Sequence, residues 1–278
     1  TFVGATYAEL FPERSGHLVL DSAVDISVPS PTLLGVGGFE KALQHFADWC
    51  AGEASCSLGE DRDAVLSRID AFLKNLDANP VVMGEWKLTQ SVATLGLGSA
   101  LYGAESTYPR LATALQHAMD GDVVEMITYF AIMTGHDGRG WTTRTYAFPS
   151  IACADRPDRG MGAADKEVSD KAAEAPVFAA NLGALPMCEY WSADSAPNLT
   201  LTAKGAGPIL VIGSTVDPVT PHDNSVAMAK QLEPATLLTW EGSGHAVAFT
   251  EKSTCVDEAV VKYFTTGEVP ADGASCPA

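Results

Sequence analysis

The stretch Gly207-Pro-Ile-Leu-Val-Ile-Gly-Ser-Thr-Val-Asp-Pro-Val-Thr-Pro221, followed by Gly242-Ser-Gly-His245, decides the fold. Pro208–Ile212 is a continuous apolar run, the pattern of a strand buried on both faces of a parallel sheet. The spacing predicts a helix near His222–Leu232 and a second strand around Thr236–Trp240. Asp217 thus stands just beyond one strand and His245 just beyond the next, where parallel α/β sheets carry their functional loops. Pro218 and Pro221 stiffen the first loop, and the glycines around Ser243 allow a tight turn in the second.

An acid followed by a histidine, one strand–helix–strand step apart, suits hydrolysis by a serine nucleophile. A serine hydroxyl needs a histidine to take its proton, and the histidine needs a carboxylate to fix its tautomer and stabilise the imidazolium. Asp217 and His245 are the candidates for those two roles. Asp223 is a competing acid, read here as the cap of the following helix, and His222 is a competing base at that helix's entrance. No Gly-x-Ser-x-Gly occurs in the 278 residues. The opening Thr1-Phe-Val-Gly-Ala-Thr-Tyr-Ala-Glu-Leu-Phe-Pro-Glu13 reads as the helix that follows such a nucleophile turn, so the expectation is a chain beginning just after its own nucleophile.

In that opening helix Val3, Tyr7 and Leu10 share one face, and Pro12 terminates it. His17–Leu20 then predicts a short buried strand with Asp21–Asp25 as its exit loop. After Pro29-Ser-Pro31 the character changes. Phe39, Leu43 and Phe46 mark one amphipathic helix; Val65, Ile69, Phe72 and Leu76 mark another; Leu111, Leu115 and Ala118 mark a third, opened by Pro109. The expected organisation is an α/β core over 1–29, a helical cap over 30–195, and the core again over 196–278. Within the cap, 156–175 is charged and Gly-containing, and predicts a mobile loop or an exposed helix start.

Thirty-five acidic residues against 17 basic give a formal charge of −18, which disfavours nucleic acid and anionic membranes as partners. The six cysteines, Cys50, Cys56, Cys153, Cys188, Cys255 and Cys276, include no Cys-x-x-Cys pair, and no histidine stands at zinc-finger spacing, so no metal or other cofactor is expected. Well-separated cysteines in even number suggest disulfides and an oxidising, extracytoplasmic compartment; free buried thiols are the alternative. Sequential pairing, Cys50–Cys56, Cys153–Cys188 and Cys255–Cys276, closes three modest loops and is the simplest arrangement. No stretch reaches transmembrane length.

The C-terminal segment quoted above, with Cys255-Val-Asp257 and Cys276, resembles the secreted tripeptidyl aminopeptidase family of actinobacteria, α/β-hydrolases of the prolyl-aminopeptidase-like class. Thr1–Arg14 with Leu18-Val-Leu-Asp21 resembles the segment directly after that family's Gly-x-Ser-x-Gly elbow, and Ile151–Asp155 and Cys188–Trp191 resemble its cap segments. The resemblance implies an α/β-hydrolase fold with an inserted, mainly helical cap, and it gives Asp217 and His245 the family's acid and base positions. It also implies a serine about three positions before Thr1, with the oxyanion hole upstream as well. The upstream segment is expected as a separate chain of the same protein after proteolytic nicking, or as a part that these 278 residues omit.

The function expected from these residues is that of an exported serine exopeptidase acting on peptides with free N-termini. A buried substrate ammonium needs a carboxylate, and Asp155, beside Cys153, is the candidate. An esterase or small-molecule amidase on the same fold, and a non-catalytic hydrolase-like binding module, are the alternatives.

Overall fold

The structure, a computed structural model, describes residues 1–27, 36–157, 160–182, 187–196 and 199–278. The change of character read at Pro29-Ser-Pro31 lies outside them. In chain order, α1 (Phe2–Leu10) and β1 (Leu18–Asp21) come first. Next are α2 (Val36–Gly52), α3 (Arg62–Ala78), β2 (Val81–Met83), β3 (Trp86–Leu88) and α4 (Gln90–Ala100). They are followed by α5 (Tyr108–Met119), α6 (Val124–Thr134), α7 (Thr143–Asp155), α8 (Met161–Lys171) and α9 (Pro176–Leu182). The last elements are β4 (Ile209–Val216), α10 (His222–Gln231), β5 (Ala235–Ser243), α11 (Thr254–Thr266) and β6 (Ala274–Pro277). The chain divides into two compact units, Thr1–Pro31 with Pro197–Ala278, and Thr32–Ala196.

The first unit is a parallel sheet in the order β1-β4-β5-β6. Successive side chains of a strand point to opposite faces, and β4 shows both faces filled. Ile209 and Val211 pack with Ala5 and Ala8 of α1 and Met228 of α10. Leu210 and Ile212 pack with Val256, Val260 and Tyr263 of α11. A sheet covered on both faces is the reason the Pro208–Ile212 run is uniformly apolar. Tyr263 ties three elements together: its buried hydroxyl donates to the Pro208 carbonyl and accepts the Leu18 N–H at 3.0 Å. Cys255 on α11 is bonded to Cys276 on β6, which fastens the edge strand.

The first helix lies where the sequence places it, but its buried face is not the one expected. Val3, Tyr7 and Leu10 are exposed, and the inward side carries Ala5 and Ala8. Helix and sheet approach too closely for large residues there, since a Cβ on Gly4 would stand 2.6 Å from Leu20 Cδ2.

The second unit is helical, with a short antiparallel hairpin of β2 and β3 that the sequence did not signal. Phe39, Leu43 and Phe46 of α2 are buried, as are Val65, Ile69 and Leu76 of α3 and Leu111, Leu115 and Ala118 of α5. The aromatic core includes Phe46 edge-on to Tyr108 at 5.3 Å and Phe39 stacked on Phe178 at 5.3 Å. Most of the charged 156–175 stretch is the helix α8, which has no buried residue and carries the i,i+4 pairs Lys166–Asp170 and Lys171–Glu167. Disulfides join Cys50 to Cys56 and Cys153 to Cys188.

One buried acid organises this unit. Glu40 of α2 is 1% exposed, and its Oε2 accepts the N–H groups of Val177 and Phe178, two orphan donors at the start of α9. Burial raises its carboxyl above the usual value despite those two amides, and Asp70 adds to the rise. A raised folded pKa favours folding most at low pH, and the contribution is lost as pH rises from the ordinary glutamate range to the elevated value. Glu40→Gln, which keeps an acceptor for both amides, is expected to flatten the fall in stability as pH rises above the ordinary glutamate range. Glu40→Ala should cost about 2 kcal/mol by orphaning the amides. Denaturant titrations at several pH values check both, and an unchanged slope in Glu40→Gln would assign the pH dependence elsewhere.

Candidate active site

The site is assembled at the C-terminal ends of β1, β4 and β5. A register shift between β4 and β5 falls at Ser214/Val216, immediately before Asp217. Such irregularities bend a strand and re-aim the residues beyond it. In β5, Gly242 lies against Trp240, where a Cβ would approach the indole to 2.2 Å. Gly244 takes φ +129°, a conformation that an L side chain resists. The two loops are stitched together by Gly244 N–H donating to the Val216 carbonyl at 2.9 Å.

This geometry brings Asp217 and His245 into contact. His245 Nδ1 stands 3.1 Å from Asp217 Oδ1 and 3.0 Å from Oδ2. The Asp217 side chain is fully buried, whereas that of His245 is 29% exposed. A buried carboxylate must be satisfied by donors, and this one is: Oδ1 accepts the N–H groups of Val219 and Thr220 at 2.9 Å, and Oδ2 accepts the Thr220 hydroxyl at 2.9 Å. Burial alone would disfavour its charge. The hydrogen bond and charge of His245, together with the Thr220 and Val219 amides, outweigh that and hold the carboxyl below its usual value. The anion is therefore the resident form at neutral pH. With Nδ1 engaged by the acid, Nε2 is the ring nitrogen that would exchange a proton with a nucleophile.

The competing candidates lie elsewhere. His222 opens α10 and its Nε2 meets the Thr239 hydroxyl at 2.9 Å. Asp223 is exposed in the first turn of α10, and it is not the cap: Pro221 holds that position and no side chain caps the helix. An acid in the first turn still complements the helix dipole. Asp155 is the last residue of α7, half-buried, in the second unit.

Sequence reading missed Thr220, which touches both partners, its hydroxyl lying 3.2 Å from His245 Nδ1. It also missed Asp21, Ser22 and Lys252, which hold the backbone after His245. Ser22, at φ +57°, is 5% exposed and its hydroxyl accepts the Ala246 N–H at 2.8 Å, so it supports the histidine loop. Among the described residues no group of three or more His, Cys, Asp or Glu side chains is placed to hold a metal, and no helix is long and apolar enough to cross a membrane.

Residues 175–276, the segment carrying both loops, match the family model described as TAP-like protein. The whole chain is similar to Serine protease Hip1 of Mycobacterium tuberculosis, 29% identical over 295 residues, covering 99% of this chain and 56% of that protein. It is similar to Carboxylesterase B of the same organism, 29% identical over 279 residues, covering 96% of this chain and 53% of that protein. It is also similar to the Tripeptidyl aminopeptidase of Streptomyces lividans, 22% identical over 299 residues, covering 99% of this chain and 52% of that protein. The chain thus spans about half the length of the curated relatives it matches. The parallel sheet, its acid and histidine loops and these similarities converge on an α/β-hydrolase fold, with a TAP-like segment over residues 175–276.

Proposed function

We propose that the full-length protein is a serine hydrolase in which Asp217 and His245 are the acid and base of a Ser-His-Asp triad. The observation that carries this reading is the fully buried Asp217 carboxylate held against His245 Nδ1 at the C-terminal edge of a parallel sheet. The serine and the oxyanion-hole amides are assigned to the part of the protein outside these 278 residues, whether on the same polypeptide or a separate one. His245 takes the serine proton as the acyl-enzyme forms and returns it to the leaving group, while Asp217 keeps the imidazole in one tautomer. Three disulfides, with no membrane-crossing helix among the described residues, support an extracytoplasmic location.

Within that class we infer an aminopeptidase that releases short peptides from free N-termini. The similarity to a tripeptidyl aminopeptidase supports it, and the similarity to a carboxylesterase of higher identity favours an esterase as the second reading. Paired assays of a tripeptide anilide and a short-chain p-nitrophenyl ester on the full-length protein separate the two. Asp155 is assigned to the substrate ammonium. Asp155→Asn is expected to raise KM for free-amine peptides by about tenfold or more while sparing N-acetylated peptides and esters, since breaking a desolvated charge pair costs about 2–5 kcal/mol. Equal losses on free and blocked substrates would remove the assignment and leave the esterase reading ahead.

A further inference from the structure

The loop that follows His245 is held by charged groups that the triad does not use. Lys252 Nζ donates to the carbonyls of His245 at 2.7 Å and Ala246 at 2.8 Å. From the other side, Asp21 Oδ2 at the end of β1 accepts the N–H groups of Val247 and Ala248, both at 2.8 Å. The backbone between these grips is unfavourable for L-residues: Ala246, Phe249 and Glu251 all take left-handed φ values, +57°, +58° and +63°. Such a conformation persists only where its surroundings over-determine it. Lys252 is half-buried, and burial lowers its ammonium against the opposing pull of Asp21 and Asp217. The charged groups around the histidine loop are thus Asp217 after β4, Asp21 on β1, Lys252 and Glu251 in the loop, and Asp257 on α11, whose Oδ1 accepts the Phe249 N–H at 2.7 Å.

We propose that Lys252 and Asp21 are positioning residues for His245. Lys252 fixes the backbone from which the imidazole projects, and the opposed charges of Lys252 and Asp21 set how readily that imidazole takes a proton. The proposal rests on the triad reading and deepens it. A bare hydrogen-bond grip would need no charge, whereas the ammonium that grips the His245 backbone carbonyl is drawn by the charges of Asp21 and Asp217. A nearby cation disfavours the imidazolium and a nearby anion favours it, so removing the two charges must act in opposite directions.

The test is the pH dependence of kcat and kcat/KM in the full-length protein for Lys252→Met, Lys252→Arg and Asp21→Asn, with His245→Ala alongside and thermal unfolding of each. Lys252→Met is expected to lower kcat about 10- to 100-fold, the scale of a displaced catalytic group, with KM nearly unchanged. It should also move the acid limb of kcat/KM upward by roughly half a pH unit or more. Lys252→Arg, which keeps the cation and its donors, should restore much of both. Asp21→Asn, which keeps an acceptor oxygen, should move the limb downward. If Lys252→Met fails to fold, Lys252→Arg and Asp21→Asn still carry the comparison. Limbs that stay in place while only unfolding temperatures fall would overturn the proposal and leave a merely structural grip, with His245→Ala inactive and the triad reading intact. Turnover persisting in His245→Ala would sink the triad reading itself.

Discussion

His245→Ala in the full-length protein is expected to lower kcat on the order of 10⁴-fold or more, with the protein still folded and KM little changed. Among the described residues, the imidazole is the group in contact with the buried Asp217 that can shuttle a proton to a serine at neutral pH. Asp217→Asn should lower kcat by about 10⁴-fold, because an amide at that position supports the wrong histidine tautomer while leaving the geometry in place. The anion also matters to folding. Its folded-state pKa is depressed, so its contribution is present at neutral pH and is lost only as pH falls below the ordinary aspartate value of about 3.9. Steady-state kinetics with circular dichroism on each variant checks the pair. Near-full activity in either would move the acid or base role to another residue.

Replacing Cys153 and Cys188 together by alanine should destabilise the second unit by about 4 kcal/mol, the chain-entropy value for a closed loop of this length. The bridge spans a sequence separation of 35 and encloses α8 and α9. The exposed α8 buries no side chain, whereas α9 buries Val177, Phe178, Ala179 and Asn181, and Asn181 also bonds Gln90 and Asp70. The Cys255–Cys276 bridge closes a shorter loop and fastens a strand that β5 already pairs, so its removal should cost less. Guanidinium titrations with and without reductant, and limited proteolysis around α8, measure the difference. An unchanged midpoint in the double variant would mean that packing alone holds these helices.

What the sequence made legible is what local pattern encodes. The apolar run at Ile209–Ile212 has the pattern of a strand covered on both faces, and the Gly and Pro residues around Asp217 and His245 marked the two loops. The face of α1 was misread because close packing there uses Ala5 and Ala8, whose small side chains give a weak periodic signal. The three-residue strands β2 and β3 are too short to show alternation. The supports of the histidine loop were hidden for another reason: Asp21 lies 226 positions from Val247, and nothing local announces a contact formed only by the sheet. Thr220 was the exception. A threonine three residues after an aspartate in a tight turn is a recognisable donor to that carboxylate.

The most direct test of the account is covalent labelling of the full-length protein by a fluorophosphonate probe, read by intact mass and peptide mapping, in the wild type and in His245→Ala. One label per molecule is expected, on a serine outside these 278 residues, formed rapidly in the wild type and slowed by orders of magnitude when His245 is removed. A label that forms equally fast without His245, or that maps to a serine within these 278 residues, would contradict it.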